Sequence, residues 1–178
     1  MRQSNGSVIY VIANYRLGAL GFLAGDTIDN DPTAVANAGF WDQRATLEWI
    51  QSYIYLVGGN NNSVSLWGES AGAGSVLHHL VAFGGKPPGS PLFHRAFAQS
   101  PAYVPEYNTA GRSERQFEAF ANYSGCSDLA CLRQQNASTL QRAAYQVTAN
   151  DLPEHFGFGY VHVTHGVEGI LIDPIVQQ

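Results

Sequence analysis

The stretch from Val64 to Leu80, VSLWGESAGAGSVLHHL, constrains the fold more than any other part of the chain. A run of strand-forming residues breaks at Gly68-Glu69-Ser70-Ala71-Gly72 and continues as a helical pattern. A strand that enters a helix through G-x-S-x-G needs its two elements packed close together. The glycines permit that approach, and the serine is held on a sharp, strained turn with its oxygen exposed. The new helix aims its first N–H groups and the positive end of its dipole at the same place. A serine hydroxyl is a weak nucleophile until a base takes its proton in the attacking step. Ser70 is therefore a candidate nucleophile, Gly68 and Gly72 the glycines of its turn, and the Ala71 N–H one donor to a developing oxyanion. Alone, the pentapeptide is a weak signal in a chain with 19 glycines. The strand before it and the helix after it give it weight. The plain alternative is a serine placed in a Gly-rich turn for backbone reasons only.

The rest of the chain supplies more units of the same kind. Ser7–Ala13 is an almost continuous β-branched run, the pattern of a strand covered on both faces. A glycine-punctuated turning segment and a polar loop, TIDNDPTAVANAG, follow it. From Phe40 to about Val57 the apolar residues return at helical spacing, and Gly58-Gly59 ends that helix. A strand is expected over Ser63–Trp67, a helix over Ser70–Phe83, a loop at GGKPPGSP and a third strand over Phe93–Gln99. Helices are expected over Arg112–Tyr123 and Ser138–Gln146, on either side of a cysteine turn. Strands alternating with helices predict an α/β fold with a mostly parallel sheet and flanking helices. Beyond about Asn150 the chain is rich in Gly and His, with weak strand character.

Charge excludes one class of partner. Nine Lys and Arg stand against 14 Asp and Glu, a net charge of -5, with no basic run to contact a phosphate backbone. The charged fraction is only 13%, which suits a well-buried chain or one cut from something larger. The apolar run after Arg2 is too short for a signal peptide and is closed by Asn14-Tyr15-Arg16, where a cleavage site would need small residues. No stretch approaches the length of a membrane span. Cys126 and Cys131 are close enough in sequence for a disulfide across a tight turn, which would imply an oxidising compartment, or they are two reduced thiols near a helix start. Sequons at Asn5, Asn61, Asn122 and Asn136 lean toward the secretory route, although Asn61 adjoins an expected core strand. The histidines show no metal-ligand framework: His162 and His165 lack a matching cysteine or carboxylate spacing. His78-His79 is expected to be a helix pair with one ring buried and one solvated, and His94 an ordinary strand residue.

Five ordered blocks carry a resemblance. NYRLGALGFLA at 14–24, NAGFWDQRATLEWIQSYI at 37–54, GGNNNSVSLWGESAGAGSV at 58–76, LFHRAFAQSPAYVPEY and GCSDLACLR resemble the type-B carboxylesterase/lipase family. That family includes cholinesterases and fungal extracellular lipases, and the polar details look most like the fungal branch. VEGILIDP is similar to a further segment of it. The resemblance implies an α/β-hydrolase fold and hydrolysis of a small-molecule or lipid carboxylic ester through an acyl-enzyme on Ser70, with no cofactor. Ala71 N–H would be an oxyanion donor, Glu69 would sit buried beside the site, and Ser100 matches the serine that supports the triad acid. Arg16 and Asp42 match a structural ion pair. Cys126 and Cys131 match a family disulfide, here closing a shorter loop than in cholinesterases. A parent protein in the secretory pathway is implied, with its oligomeric state open.

Parts of that machinery have no counterpart in the sequence. The family's Gly-Gly oxyanion loop lies upstream of the NYRLG block, and the residues before Asn14 do not contain it. The triad acid and histidine lie downstream of the matched blocks. Residues 1–178 thus read as the central fragment of a single α/β-hydrolase domain. A self-contained triad, in the order Ser, acid, His, would have to draw on Asp128, Asp151 or Glu154 and then His155, His162 or His165. Two other readings stand beside the esterase: a non-catalytic cholinesterase-like interaction module, and an inert truncated product. Retention of Ser70 in an intact Gly-Glu-Ser-Ala-Gly weighs against the module.

Overall fold

The polypeptide folds around one parallel strand pair. In the computed structural model, which describes residues 4–86, 89–102, 106–107, 111–150 and 161–162, β1 (Ser65–Glu69) runs parallel to β2 (Arg95–Gln99), in register from Ser65 opposite Arg95 to Glu69 opposite Gln99. Parallel neighbours need a crossover, and it is made by a helix at Ala71–Val81 with a short 3₁₀ turn and a loop behind it. Alternate residues of β1 meet different environments. Leu66 and Gly68 turn to the helical side and are half-buried, whereas Ser65, Trp67 and Glu69 are exposed. A second parallel pair, Glu106–Tyr107 with Val161–His162, is only two residues long.

Short helices α1 (Gly18–Phe22) and α2 (Asp26–Asp29) form where a turning segment is expected from the sequence. Helix α3 spans Ala38–Tyr53. Its buried face is Phe40, Arg44 and Leu47, spaced by four and three residues, the repeat that keeps side chains on one side of a helix. Phe40 is fully buried against Phe22, His78 and His79. A 3₁₀ turn at Ile54–Val57 tightens the end of α3, and Gly58 stops it at φ 81° with its N–H bonded to the Tyr55 carbonyl. Helix α4 is the crossover, Ala71–Val81.

A helical lobe completes the described chain. Helix α5 (Arg112–Tyr123) buries Ser113, Phe117, Phe120 and Ala121, and α7 (Ala137–Asn150) lays Ala143 and Val147 against it. Between them α6 (Leu129–Leu132) is capped by Asp128, whose Oδ1 accepts from the Cys131 N–H at 2.8 Å. A disulfide joins Cys126 to Cys131. Glu114 accepts hydrogen bonds from the Thr27 N–H and hydroxyl, and Arg133 bonds Asp31 and Thr33. The loop before α3 is thereby tied to the lobe.

Two expectations from the sequence need correction or restriction. Ser7–Ala13 is not a strand covered on both faces: it carries no regular structure, and Val8, Tyr10 and Ile12 are more than half exposed. A strand exists by virtue of its hydrogen-bonded neighbours, and this segment has none among the described residues. Between it and the free edge of β1 lies a cavity of about 970 Å³, walled by Val8, Ile12, Leu47, Ile54, Leu66 and Val76 among others. The block VEGILIDP lies outside the described residues.

Candidate active site

Gly68 sets the geometry of the turn between β1 and α4. A Cβ placed on it would stand 2.2 Å from the Gly72 carbonyl oxygen and 2.7 Å from the Ala73 nitrogen, so only glycine lets strand and helix come this close. A Cβ on Gly72 would meet nothing within 4 Å, so that glycine has no steric requirement among the described residues. The sequence gives the two glycines equal standing; the geometry does not.

Ser70 lies between them with φ 53° and ψ −118°, a conformation that glycine adopts easily and other residues rarely do. The surrounding backbone holds it there. Its N–H bonds the Gln99 carbonyl at 3.0 Å, and its own carbonyl accepts from Gly74 N–H and Ala102 N–H, each at 3.0 Å. Strand β2, the residues just after it and the first turn of α4 thus fix the two peptides that flank the Ser70 Cα. The Ser70 side chain is exposed, and Ala71 places its N–H in the first turn of α4 at the positive end of the dipole. Ser100 follows β2 as Ser70 follows β1, at the same carboxyl edge of the pair, and is itself at φ 48°. The carboxyl ends of parallel strands are where α/β folds bind their ligands.

Glu69 departs from expectation: it is exposed, not buried beside the site. It points to the face of β1 that no described helix covers, together with Trp67, whose indole N–H donates to Gln99 Oε1 at 3.0 Å.

A partly buried polar chain that the sequence does not reveal runs behind the turn. His79 Nε2 meets Gln43 Oε1 at 2.8 Å, Gln43 Nε2 donates to Ser75 Oγ at 3.2 Å, and Ser75 Oγ donates to the Ala71 carbonyl at 3.1 Å. An amide oxygen only accepts, so His79 Nε2 carries the proton. The chain couples α3 to the first residue of α4. Burial, reinforced by the Arg44 cation, lowers the His79 imidazole to about 4 and keeps it neutral. The expected split of His78-His79 into one buried and one solvated ring is therefore wrong. Both are buried, because α4 is covered on the His78 side by Phe40 and on the His79 side by Gln43 and Phe40. The available signal was the one-turn spacing of Ser75 and His79; nothing local names α3 as the element they meet.

Arg16 and Asp42 form a two-pronged pair, Nε to Oδ2 at 2.8 Å and Nη2 to Oδ1 at 2.7 Å, with the Arg16 N–H also on Oδ2 at 3.0 Å. Hydrogen bonding from Arg16 holds the Asp42 carboxyl below its ordinary range, and the same donation to Asp42 raises the guanidinium. The pair ties the entry to α1 onto the first turns of α3. Of the residues weighed for a self-contained triad, Asp128 is occupied as the cap of α6. Asp151, Glu154, His155, His165 and the side chain of His162 lie outside the described residues. His94 precedes β2 instead of lying within it. Among the described residues no cluster of three or more His, Cys, Asp or Glu could hold a metal ion, and no helix is long and apolar enough to cross a membrane.

Comparison with known proteins gives consistent results. Residues 2–172 match the sequence pattern of the carboxylesterase family. A secreted lipase of Arthroderma benhamiae is 45% identical over 148 residues, covering 82% of this chain and 28% of its own. Lipase 1 of Geotrichum candidum is 40% identical over 166 residues, covering 85% and 29%. Among solved structures, EstA of Aspergillus niger superposes with a TM-score of 0.66 at 43% identity, over 74% of this chain and 25% of that one. A thermophilic pNB esterase gives 0.73 at 27% identity, over 88% and 31%. The chain thus spans under a third of the length of these relatives.

Proposed function

The chain belongs to the carboxylesterase family, with an incomplete α/β-hydrolase fold, and from that premise we propose that it is the nucleophile-bearing central section of a secreted serine ester hydrolase. The observation that carries this reading is the strained, exposed Ser70 locked between β1 and α4. Strain of this kind costs on the order of 1–3 kcal/mol and persists where the surroundings over-determine it. A serine needed only to turn the chain would be better replaced by glycine.

In the proposed reaction the Ser70 oxygen attacks the carbonyl carbon of a small-molecule or lipid ester while a base takes its proton. The carbonyl oxygen becomes an oxyanion facing the Ala71 N–H and the end of the α4 dipole. The alcohol departs with a proton, leaving the acyl group on Ser70, and water then releases the acid. The base, its acid partner and a second oxyanion donor are assigned to parts of the domain beyond these residues. The cavity between residues 7–13 and β1, and the uncovered apolar segment beside it, support a sheet that continues on that side. Ser70 does not line that cavity, so it is not read as the substrate pocket.

The test is fluorophosphonate labelling and p-nitrophenyl ester hydrolysis by the full-length protein. Label on Ser70, and loss of both signals in Ser70→Ala, is expected. A Ser70→Ala protein that still labels and hydrolyses removes the proposal. The isolated 178-residue chain is expected to show no triad-type turnover, since loss of triad members costs about 10⁴ to 10⁶ in rate.

A further inference from the structure

Ser124 follows the last residue of α5, and its hydroxyl is buried with no hydrogen-bond partner among the described residues. An unsatisfied buried hydroxyl costs about 1–3 kcal/mol, and an alanine would occupy the position without that cost. The backbone does not demand serine either. The Ser124 N–H is satisfied by the Phe120 and Ala121 carbonyls at 3.1 and 3.0 Å whatever the side chain. What serine does supply is the third position of Asn122-Tyr123-Ser124, an acceptor sequence for N-linked glycosylation. Asn122 stands exposed on the last turn of α5, with its side-chain amide unengaged among the described residues.

The other sequons lack that anomaly and divide by exposure and by what the asparagine side chain already bonds. Asn136 is exposed and caps α7 through Oδ1, which accepts from the Thr139 N–H at 2.9 Å and the Ser138 hydroxyl at 2.6 Å. Glycosylation uses Nδ2 and leaves Oδ1 an acceptor, so the cap survives it. Asn61 is half-buried, and its Nδ2 donates to the Gln51 carbonyl at 3.2 Å, so the nitrogen that would carry the sugar is turned to the backbone. Asn5 is exposed in a tight turn at φ 49°, and no hydrogen bond among the described residues orients its side chain as the cap orients Asn136, so it is left out of the proposal.

We propose that Asn122 and Asn136 carry N-linked glycans, on the reading that the parent protein is exported. The Cys126–Cys131 bond lies in the same lobe and belongs to the oxidising compartment where this modification is made. The Asn Nδ2 attacks C1 of the terminal sugar of a polyprenyl-diphosphate-linked oligosaccharide. The N–C1 bond forms as the C1–O bond breaks, the diphosphate leaves with the bonding pair, and the amide gives up one proton to a base of the transferring enzyme. Because the Ser124 hydroxyl is buried once α5 packs, transfer to Asn122 precedes folding of the lobe.

The experiment uses the full-length protein expressed in a yeast with medium and cell fractions kept apart. Amidase release of glycans in ¹⁸O-water converts each glycosylated asparagine to labelled aspartate, read by peptide mass spectrometry. Label at Asn122 and Asn136, and none at Asn61, is expected. Ser124→Ala should abolish label at Asn122 alone and leave the deglycosylated protein at least as heat-stable as the parent. Asn122→Gln, at an exposed position, gives the same site assignment should the buried variant misfold. Secreted protein unlabelled at either site overturns the proposal for that site, and label at Asn61 overturns the hydrogen-bond criterion. Unlabelled protein confined to the cytosol removes export and glycans together, whereas fluorophosphonate labelling of Ser70 reads the ester chemistry independently.

Discussion

Ser70 offers a direct test of whether its conformation is imposed by the fold against the residue's own preference. At φ 53° and ψ −118° a Cβ is crowded by its own backbone, and serine and alanine suffer alike. Glycine does not. Relief of such strain is worth about 1–3 kcal/mol, against which glycine's extra freedom in the unfolded chain costs about 0.5–1 kcal/mol. The Ser70→Gly protein should therefore be more stable than Ser70→Ala by about 1 kcal/mol, roughly fivefold in the folded-to-unfolded ratio. In a protein as long as the relatives this is a shift of about 1–2 °C in Tm, resolvable when both variants are scanned at one rate. Both variants lack the hydroxyl, so its loss cancels in the comparison. A glycine variant no more stable than the alanine variant would mean that Ser70 is not strained, and the main support for a purpose-built nucleophile would fall with it.

Further outcomes follow from neighbouring geometry. Gly68→Ala forces a Cβ to within 2.2 Å of the Gly72 carbonyl, an overpacking expected to cost about 2–3 kcal/mol or more, whereas Gly72→Ala is expected to be tolerated; urea midpoints of the two variants check the asymmetry. His79, lowered to about 4 from 6.5, stays neutral in the fold, so its contribution to stability is complete above pH 6.5 and is lost as pH falls toward 4, on the order of 3 kcal/mol. His79→Gln should flatten that part of the stability–pH curve, and an unchanged slope would refute the assignment. Asp42→Ala removes the two-pronged Arg16 pair and the bond to the Arg16 N–H; because Arg16 is more than half exposed, a loss of only about 1 kcal/mol, shrinking in high salt, is expected in denaturant titrations. Asp128→Asn keeps an oxygen for the α6 cap and should retain full esterase activity, whereas Asp128→Ala should cost about 1 kcal/mol in unfolding free energy. A large loss of kcat in Asp128→Asn would revive a triad contained within this chain.

Local pattern reached a good part of this structure. The strand, turn and helix around Ser70 were legible because Gly68 and Gly72 interrupt a change of hydrophobic period. Helix α5 was legible to its ends because Ser113, Phe117, Phe120 and Ala121 repeat at helical spacing. The Arg16–Asp42 pair came from family resemblance, since no spacing rule links residues 16 and 42, whereas the Cys126–Cys131 spacing left a disulfide and two thiols open and the resemblance favoured the bond. The Gln43–His79–Ser75 chain escaped because it exists only where α3 meets α4, and polar residues at helical spacing do not announce their partner. The unequal demands on the two glycines also needed coordinates: both occupy the same motif, and only Gly68 faces backbone.

The misjudged burials fall on two sides of one element. Residues expected to be buried and found exposed, Val8 to Ile12 and Glu69, lie beside or on the uncovered side of β1. The pair found more buried than expected, His78-His79, lies where α4 packs on α3. Errors of propensity would mix on each side; here the residues less buried than expected lie on one side and those more buried on the other. The apolar run at 7–13 has the composition of a strand with neighbours on each side, and a cavity of about 970 Å³ separates it from a β1 edge that has no partner among the described residues. The composition therefore carries the requirements of a wider sheet, while the packing within this section satisfies only its helical side. On the proposed reading the strands that complete the sheet must also bring the remaining oxyanion donor and the base to the carboxyl edge where Ser70 stands. Completing the sheet and completing the catalytic site would then be one structural event.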